Sequence, residues 1–217
     1  VTTTTISRRQ HELARERVAE AGLQDRVTLL LEDYRDLEGR YDKLVSVEMI
    51  EAVGHQYLDT YFAKCSELLK PEGMMLLQAI TIRDQLYDES VKRVDFIKRY
   101  IFPGGFIPSV NAISDSVARA SDMRLFHLQD IGPHYATTLR RWRERFFENI
   151  DAVRELGYPE SFVRMWEFYL CYCEGGFIEK AISDVHLVAE KLAEIRHTEL
   201  ETIAELTRVN AQRLFRI

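Results

Sequence analysis

A chain of 217 residues can build one core with a lid or a tail, but not two large domains. Its 35 acidic against 29 basic side chains leave a net charge of −6, which argues against a nucleic-acid partner, whose phosphates demand many Lys and Arg contacts. No apolar run approaches the roughly 20 residues of a membrane-spanning helix, no secretion signal opens the chain, and Cys65, Cys171 and Cys173 fit neither a zinc site nor a secreted disulfide framework, so reduced thiols in a cytoplasmic protein are expected.

Val1–Ile6 is a short β-rich run, after which Ser7 reads as an N-cap and Arg8–Ala21 as a helix closed by Gly22. Val27–Leu31 and Leu44–Val47 are compact apolar strands, the second apolar on both sides of Ser46 as in a buried parallel strand. Tyr57–Leu69 carries Leu58, Tyr61, Phe62, Cys65, Leu68 and Leu69 at helical spacing; Pro71-Glu72-Gly73 stops it, and Met74–Ile80 is the next strand. Strands and helices in alternation predict a doubly wound α/β fold. The mixed charged and aromatic stretch of about 84–108, with Phe102-Pro103-Gly104-Gly105, reads as a lid. Beyond it, Val110–Ala120 is predicted helical, Arg124–Asp130 a strand, and Leu139–Leu156 a charged helix. Pro159–Cys173 is predicted as an aromatic helix ending at Gly175-Gly176, and Asp184–Ala189 as the last strand. From residue 190 onward, Leu192, Ile195, Leu200, Ile203, Leu206 and Leu214 outline an amphipathic C-terminal helix.

Two carboxylates, Glu48 and Glu51, stand just past a buried strand, where such groups are rare unless paired or functional. A lone glutamate there would read as a helix-start residue favoured by the dipole. His11, His127, His186 and His197 have no partner at metal-ligand spacing, and His55 reads as a helix-end residue.

Three segments, Asp42–Gly54 (D-K-L-V-S-V-E-M-I-E-A-V-G), Tyr100–Ser109 (Y-I-F-P-G-G-F-I-P-S) and Met165–Phe177 (M-W-E-F-Y-L-C-Y-C-E-G-G-F), resemble the cyclopropane-fatty-acyl-phospholipid synthase family, and the resemblance runs through nearly all of Val1–Val188. It implies a class I S-adenosylmethionine (SAM) dependent methyltransferase domain over 1–189. The implied reaction moves a methyl group to the cis double bond of a phospholipid acyl chain at a membrane surface, with bicarbonate as base. By the same resemblance, Glu51, Gln78, the backbone of Ile80 and Tyr135 hold the bicarbonate. Gln78 replaces a histidine, and Tyr135 lies in H-Y-A-T-T-L-R-R-W. Thr5 and Gln10 would meet the cofactor ribose, although spacing alone describes a Ser N-cap with an exposed helix side chain; Thr3 stands where the family has glycine. Asp33 and Tyr34 would meet the adenine, or form a capped surface turn. Val47 and Glu48 are assigned to cofactor contact. Tyr169, then Phe168, is the first choice for an aromatic face near a cationic chain.

The family's glycine-rich first strand has no counterpart here. A missing central strand leaves backbone groups of two neighbours unpaired, at about 1–3 kcal/mol for each buried group, against about 5–15 kcal/mol of total stability. The expectation is therefore a fragment, inactive without the missing N-terminal part, or a chain that borrows the strand from a partner. Two competing readings follow: a non-catalytic subunit pairing with a complete copy, compatible with a homodimer, and a methyltransferase for soluble amines. A lipid acceptor implies peripheral membrane contact through Lys92, Arg93, Lys98 and Arg99 beside Phe96, Ile97, Tyr100, Ile101 and Phe102, with activity on vesicles expected to depend on Phe102 and Phe106.

Overall fold

The computed structural model describes residues 1–191. The predicted C-terminal helix lies outside them, except that Glu190 and Lys191 continue the last strand instead. Strand β1 (Thr2–Thr4) leads into helix α1 (Arg8–Glu20), whose first turn is capped as expected by Ser7, with the hydroxyl accepting from the Gln10 N–H. Strands β2 (Thr28–Leu30) and β3 (Tyr41–Val47) follow, then helix α2 (Leu58–Leu68) and strand β4 (Leu69–Ile82). Pro71-Glu72-Gly73 ends the helix but does not delay the strand. The ladder passes from Tyr41↔Leu69 to Lys43↔Met74, and the intervening residues bulge out with Glu72 at φ +63°. Proline cannot donate to a ladder, so a bulge is where β4 can accommodate it.

Helices α3 (Asp84–Lys92) and α4 (Val110–Ala120) bracket the lid region, which also holds a π-helical turn at Ile97–Ile101. Strand β5 (Met123–Asp130) is followed by α5 (Gly132–Glu148), α6 (Ile150–Glu155), α7 (Glu160–Ile178) and β6 (Ile182–Lys191). Two expectations are corrected here. The charged helix predicted over Leu139–Leu156 starts seven residues earlier and is broken at Asn149, whose side-chain amide donates to the Arg145 carbonyl 2.8 Å away and diverts the backbone from the helical path. The aromatic helix does not stop at Gly175-Gly176. It runs on to Ile178, because Gly176 lets it close against β6: a Cβ there would meet the Ile182 side chain at 3.1 Å.

The sheet order is β3-β4-β6-β5, with β3 parallel to β4 and β6 antiparallel to both neighbours. Strands β1 and β2 form a separate parallel pair. Among the described residues β1 is bonded only to β2, and β3 only to β4, so no strand joins the two sheets. Val45 and Val47 on the free edge of β3 are 64% and 57% exposed. The main core packs α2 and α4 against one face of the larger sheet, through Met75, Leu77 and Ala79 of β4 and Leu187 and Ala189 of β6. A second cluster, Ala136, Leu139, Leu170 and Phe177, seals α5 and α7 on the other face beside Ile80, Tyr135 and Ile182. Glu174 is buried between these helices and accepts from Arg140 and Arg143 at 2.8 and 3.1 Å, which satisfies a charge that would otherwise be costly there.

Candidate active site

In an antiparallel ladder, directly opposed residues share a face, and successive residues alternate. Gln78 of β4 opposes His186 of β6, and Ile80 opposes Asp184. These four lie on the face beneath α5 and α7. The Gln78 side chain is held at both ends. Its nitrogen donates to Glu48 Oε1 at 3.0 Å and to Asp184 Oδ2 at 2.9 Å, and its oxygen meets His186 Nε2 at 3.1 Å. Tyr135, near the start of α5, donates its hydroxyl to the same Glu48 oxygen at 2.9 Å. Glu51 sits on a 3₁₀ turn at Ile50–Ala52, and its Oε1 accepts from the Ile80 backbone N–H at 2.6 Å. All four residues expected to hold a small anion are therefore in one cluster, and Glu48, expected at the cofactor, belongs to it as well.

Glu48 has φ +48°, a left-handed backbone that a residue with a Cβ seldom adopts outside turns and functional sites. Its N–H donates to the Gln78 carbonyl at 2.9 Å, so the strand end and the turn are tied to β4. Burial pushes the Glu51 carboxyl up to about 7, against the ionised form, and the nearby Glu48 and Asp184 charges add to the shift. Burial likewise raises Asp184 to about 6, reinforced by Glu48 and opposed by the Gln78 hydrogen bond. Glu51 Oε2 and Asp184 Oδ1 are buried and have no hydrogen-bond partner among the described residues. A buried acceptor without a donor is costly. The cluster thus combines two neutral donors converging on one carboxylate oxygen with two carboxyl oxygens that have no hydrogen-bond partner among the described residues.

Tyr135 stacks on Phe177 at 4.9 Å and meets Trp142 edge-on; burial and the Glu48 contact hold its hydroxyl well above the usual phenol range. Its helix starts where Gly132 passes Ser183, so closely that a Cβ would overlap the serine hydroxyl. Tyr169 of α7 faces the same side, 5.0 Å from Trp166 and 6.3 Å from Phe102, with its hydroxyl pushed up to about 12 mainly by burial. Phe168, the second choice, is turned away. It is 51% exposed and packs on Phe96 and Tyr172, because adjacent helix residues point about 100° apart. Phe106 is also corrected: it is 6% exposed in the main core beside His55, and its N–H donates to the Glu51 carbonyl at 3.0 Å. It pins the lid to the site and offers nothing to a surface.

The residues expected at the cofactor lie on the β1–β2 pair and the edge of β3. Thr5 donates to Gln10 Oε1 at 2.8 Å, beside a hollow also lined by Thr3, His11, Ala14 and Leu29. Thr3 takes its place in the regular β1 ladder opposite Leu29. Asp33 caps a 3₁₀ turn, with both oxygens engaged by Arg35, which lowers its carboxyl to about 2. Tyr34 is half-buried, edge-on to Tyr61 at 5.7 Å. Val47 projects from the free edge of β3. Sequence reasoning missed Asp184 and His186. The signal was there: an Asp and a His two apart in the mostly apolar strand I-S-D-V-H-L-V.

The architecture is that of the class I SAM-dependent methyltransferases. It superposes with a TM-score of 0.78 on the mycolic acid cyclopropane synthase CmaA1 complexed with SAH and CTAB, 26% identical over 88% of this chain and 70% of that one. The cyclopropane synthase MmaA2 from Mycobacterium tuberculosis gives the same TM-score, 0.78, at 25% identity. The chain belongs to the mycolic acid cyclopropane synthetase family, whose pattern matches residues 1–187. Among curated relatives, the tuberculostearic acid methyltransferase UfaA1 of M. tuberculosis is 47% identical over 173 residues, which is 80% of this chain and 40% of that protein. The cyclopropane-fatty-acyl-phospholipid synthase of Escherichia coli K12 is 43% identical over 173 residues, 80% of this chain and 42% of that protein. The chain therefore spans about two fifths of the length of these relatives.

Proposed function

We propose that this chain forms the acceptor-side half of the active site of a methyltransferase acting on the cis double bond of a lipid acyl chain, with bicarbonate as base and a cyclopropane as product. The observation that carries the proposal is the convergence of Gln78 Nε2 and Tyr135 OH on one carboxylate oxygen of Glu48, beside the orphaned Glu51 Oε2. A small oxyanion that carries a hydrogen matches this set. Its oxygen would take the two donors as the Glu48 oxygen does, and its hydrogen would go to Glu51. Bicarbonate, when bound, supplies the base for the proton leaving the methylated chain, and SAM, when bound, supplies the methyl group.

The chain's own residues would do the rest. Gln78 and Tyr135 orient the anion without titrating, since an amide does not ionise near neutral pH and the tyrosine hydroxyl is held well above it. Thr5 and Gln10 offer a hydroxyl and an amide suited to a ribose diol, while Asp33 would have to share its oxygens between Arg35 and the adenine. Tyr169 and Trp166 present aromatic faces, each worth roughly 0.5–2 kcal/mol to a nearby cation, and the sealed α5–α7 cluster keeps water out.

The test uses the complete enzyme to which this chain belongs, with SAM and vesicles of unsaturated phospholipid, and the product is read by mass spectrometry. Turnover should fall in bicarbonate-depleted buffer and return on addition. Glu51→Gln should lower it far more than it weakens SAM binding, with little rescue by bicarbonate. Near-normal turnover of Glu51→Gln in depleted buffer would overturn the assignment of the anion site. Methylation of a soluble amine with vesicles ignored would overturn the lipid.

A further inference from the structure

An amide side chain has nearly the same shape at both ends, so its partners decide which end faces where. At Gln78 the decision belongs to β6. Asp184 Oδ2 and Glu48 Oε1 can only accept when ionised, and both meet the nitrogen. His186 meets the oxygen, and so donates from Nε2. Turning the amide over would set its carbonyl oxygen against two carboxylates and its NH2 against an imidazole N–H. We infer that Asp184 and His186 are positioning residues that fix the Gln78 amide with its nitrogen toward the Glu48–Tyr135 seat. The inference rests on the proposed reading of that seat as an anion site.

Two observations favour positioning over a merely structural role. Asp184 is 0% exposed and has one oxygen without a partner, so its side chain is a cost to the fold. The turn into α5 does not need that side chain, because Ile131 N–H donates to the Asp184 backbone carbonyl at 2.8 Å. The pairing also explains why two strands are involved. Once an anion displaces Glu48 from the nitrogen, Asp184 is the carboxylate left to hold it, and His186, directly opposite on the ladder, keeps the oxygen turned away. The other ionisable groups of the cluster are Glu48, which meets the amide directly, Glu51 on the Ile80 N–H, Tyr135 of α5 on Glu48, and Tyr169 of α7, which senses the Glu48 charge.

The test has a structural and a kinetic arm. The side-chain amide of Gln78 can be identified in a ¹H–¹⁵N spectrum by its loss in Gln78→Glu, and its hydrogen exchange measured. Asp184→Leu and His186→Leu should each speed that exchange by about tenfold or more. Asp184→Asn, which still accepts, and His186→Gln, which still donates, should keep it near the parent value. In turnover, the two leucine variants should lose about tenfold to a hundredfold in kcat, the scale of a misplaced contact, with the KM for SAM little changed; the conservative pair should recover most of it. Unchanged amide exchange in both leucine variants overturns the inference, as does equal damage from leucine and conservative replacements. Should the complete enzyme fail to methylate lipid, the proposed function falls, while the exchange measurement still decides the role of Asp184 and His186.

Discussion

Glu48, Glu51 and Asp184 share one cluster, where the charges of Glu48 and Asp184 make Glu51 harder to ionise and that of Glu48 does the same to Asp184. Glu51 is held at about 7, above its ordinary 4.5, so the folded state favours its protonated form. For a raised carboxyl, that contribution to stability is full below about pH 4.5 and is lost as pH rises through 7. Glu51→Gln cannot ionise and escapes the loss. Thermal unfolding should therefore show the variant gaining on the parent between pH 5 and 8, by about 1–3 kcal/mol at the upper end once partial exposure is discounted. Parallel stability curves would show that Glu51 is not the strained group. Glu48→Gly tests the neighbouring strain. It should relieve roughly 1 kcal/mol of left-handed backbone cost and remove a like charge, so the titration midpoint of Asp184, followed by carboxyl ¹³C shift, should fall. An unmoved midpoint would mean the carboxylates do not sense one another.

At the scale of elements, the site depends on how tightly α5 and α7 close on β6. Two glycines set this distance: Gly176 against Ile182, and Gly132 against Ser183. The first meets the end of a flexible side chain and can give way. The second cannot, because the obstructing hydroxyl is itself bonded to Asp130, which also accepts from the Gly132 N–H at 2.9 Å. Gly132→Ala should destabilise by about 1–3 kcal/mol, the cost of overpacking, measured by urea unfolding. It should also push out the first turn of α5 and take Tyr135 away from Glu48. Loss of stability with Tyr135 chemistry intact would place the start of α5 outside the site.

At the scale of the molecule, the lid carries an exposed aromatic group next to cations. Tyr100 and Phe102 are 57% and 56% exposed, Arg99 lies over the Tyr100 ring at 5.6 Å, and Phe96 joins Tyr100 to Phe168 and Tyr172. No described helix is long and apolar enough to cross a membrane. A lipid acceptor would then be reached from the bilayer surface, with aromatic rings at the acyl boundary and Arg99 and its basic neighbours at anionic headgroups. Sedimentation with anionic vesicles should show binding that weakens as salt rises, and Tyr100→Ser with Phe102→Ser should reduce it several-fold without lowering the melting temperature. Binding insensitive to both salt and the double substitution would remove the lid from the membrane contact. Phe106→Ser is no such test, since it would open the core.

What the sequence settled by itself was local or carried by contiguous motif. Ser7 caps α1 because a cap acts over three residues, and the strand–helix alternation through Ile82 follows from period and punctuation. Glu51, Gln78 and Tyr135, which the structure brings into one cluster, could be singled out as candidates because their flanks are distinctive. Only the tertiary structure decided the rest. The Gln78 amide is gripped by residues 106 and 108 positions away, and no local pattern reports the register of an antiparallel ladder across that distance. Which of Phe102 and Phe106 faces solvent depends on the turn of the lid over Glu51. Whether α7 stops at its glycine pair depends on Ile182 waiting across the interface. Periodicity fixes which residues share a face, but the choice of what that face meets is made by packing between segments far apart in the chain.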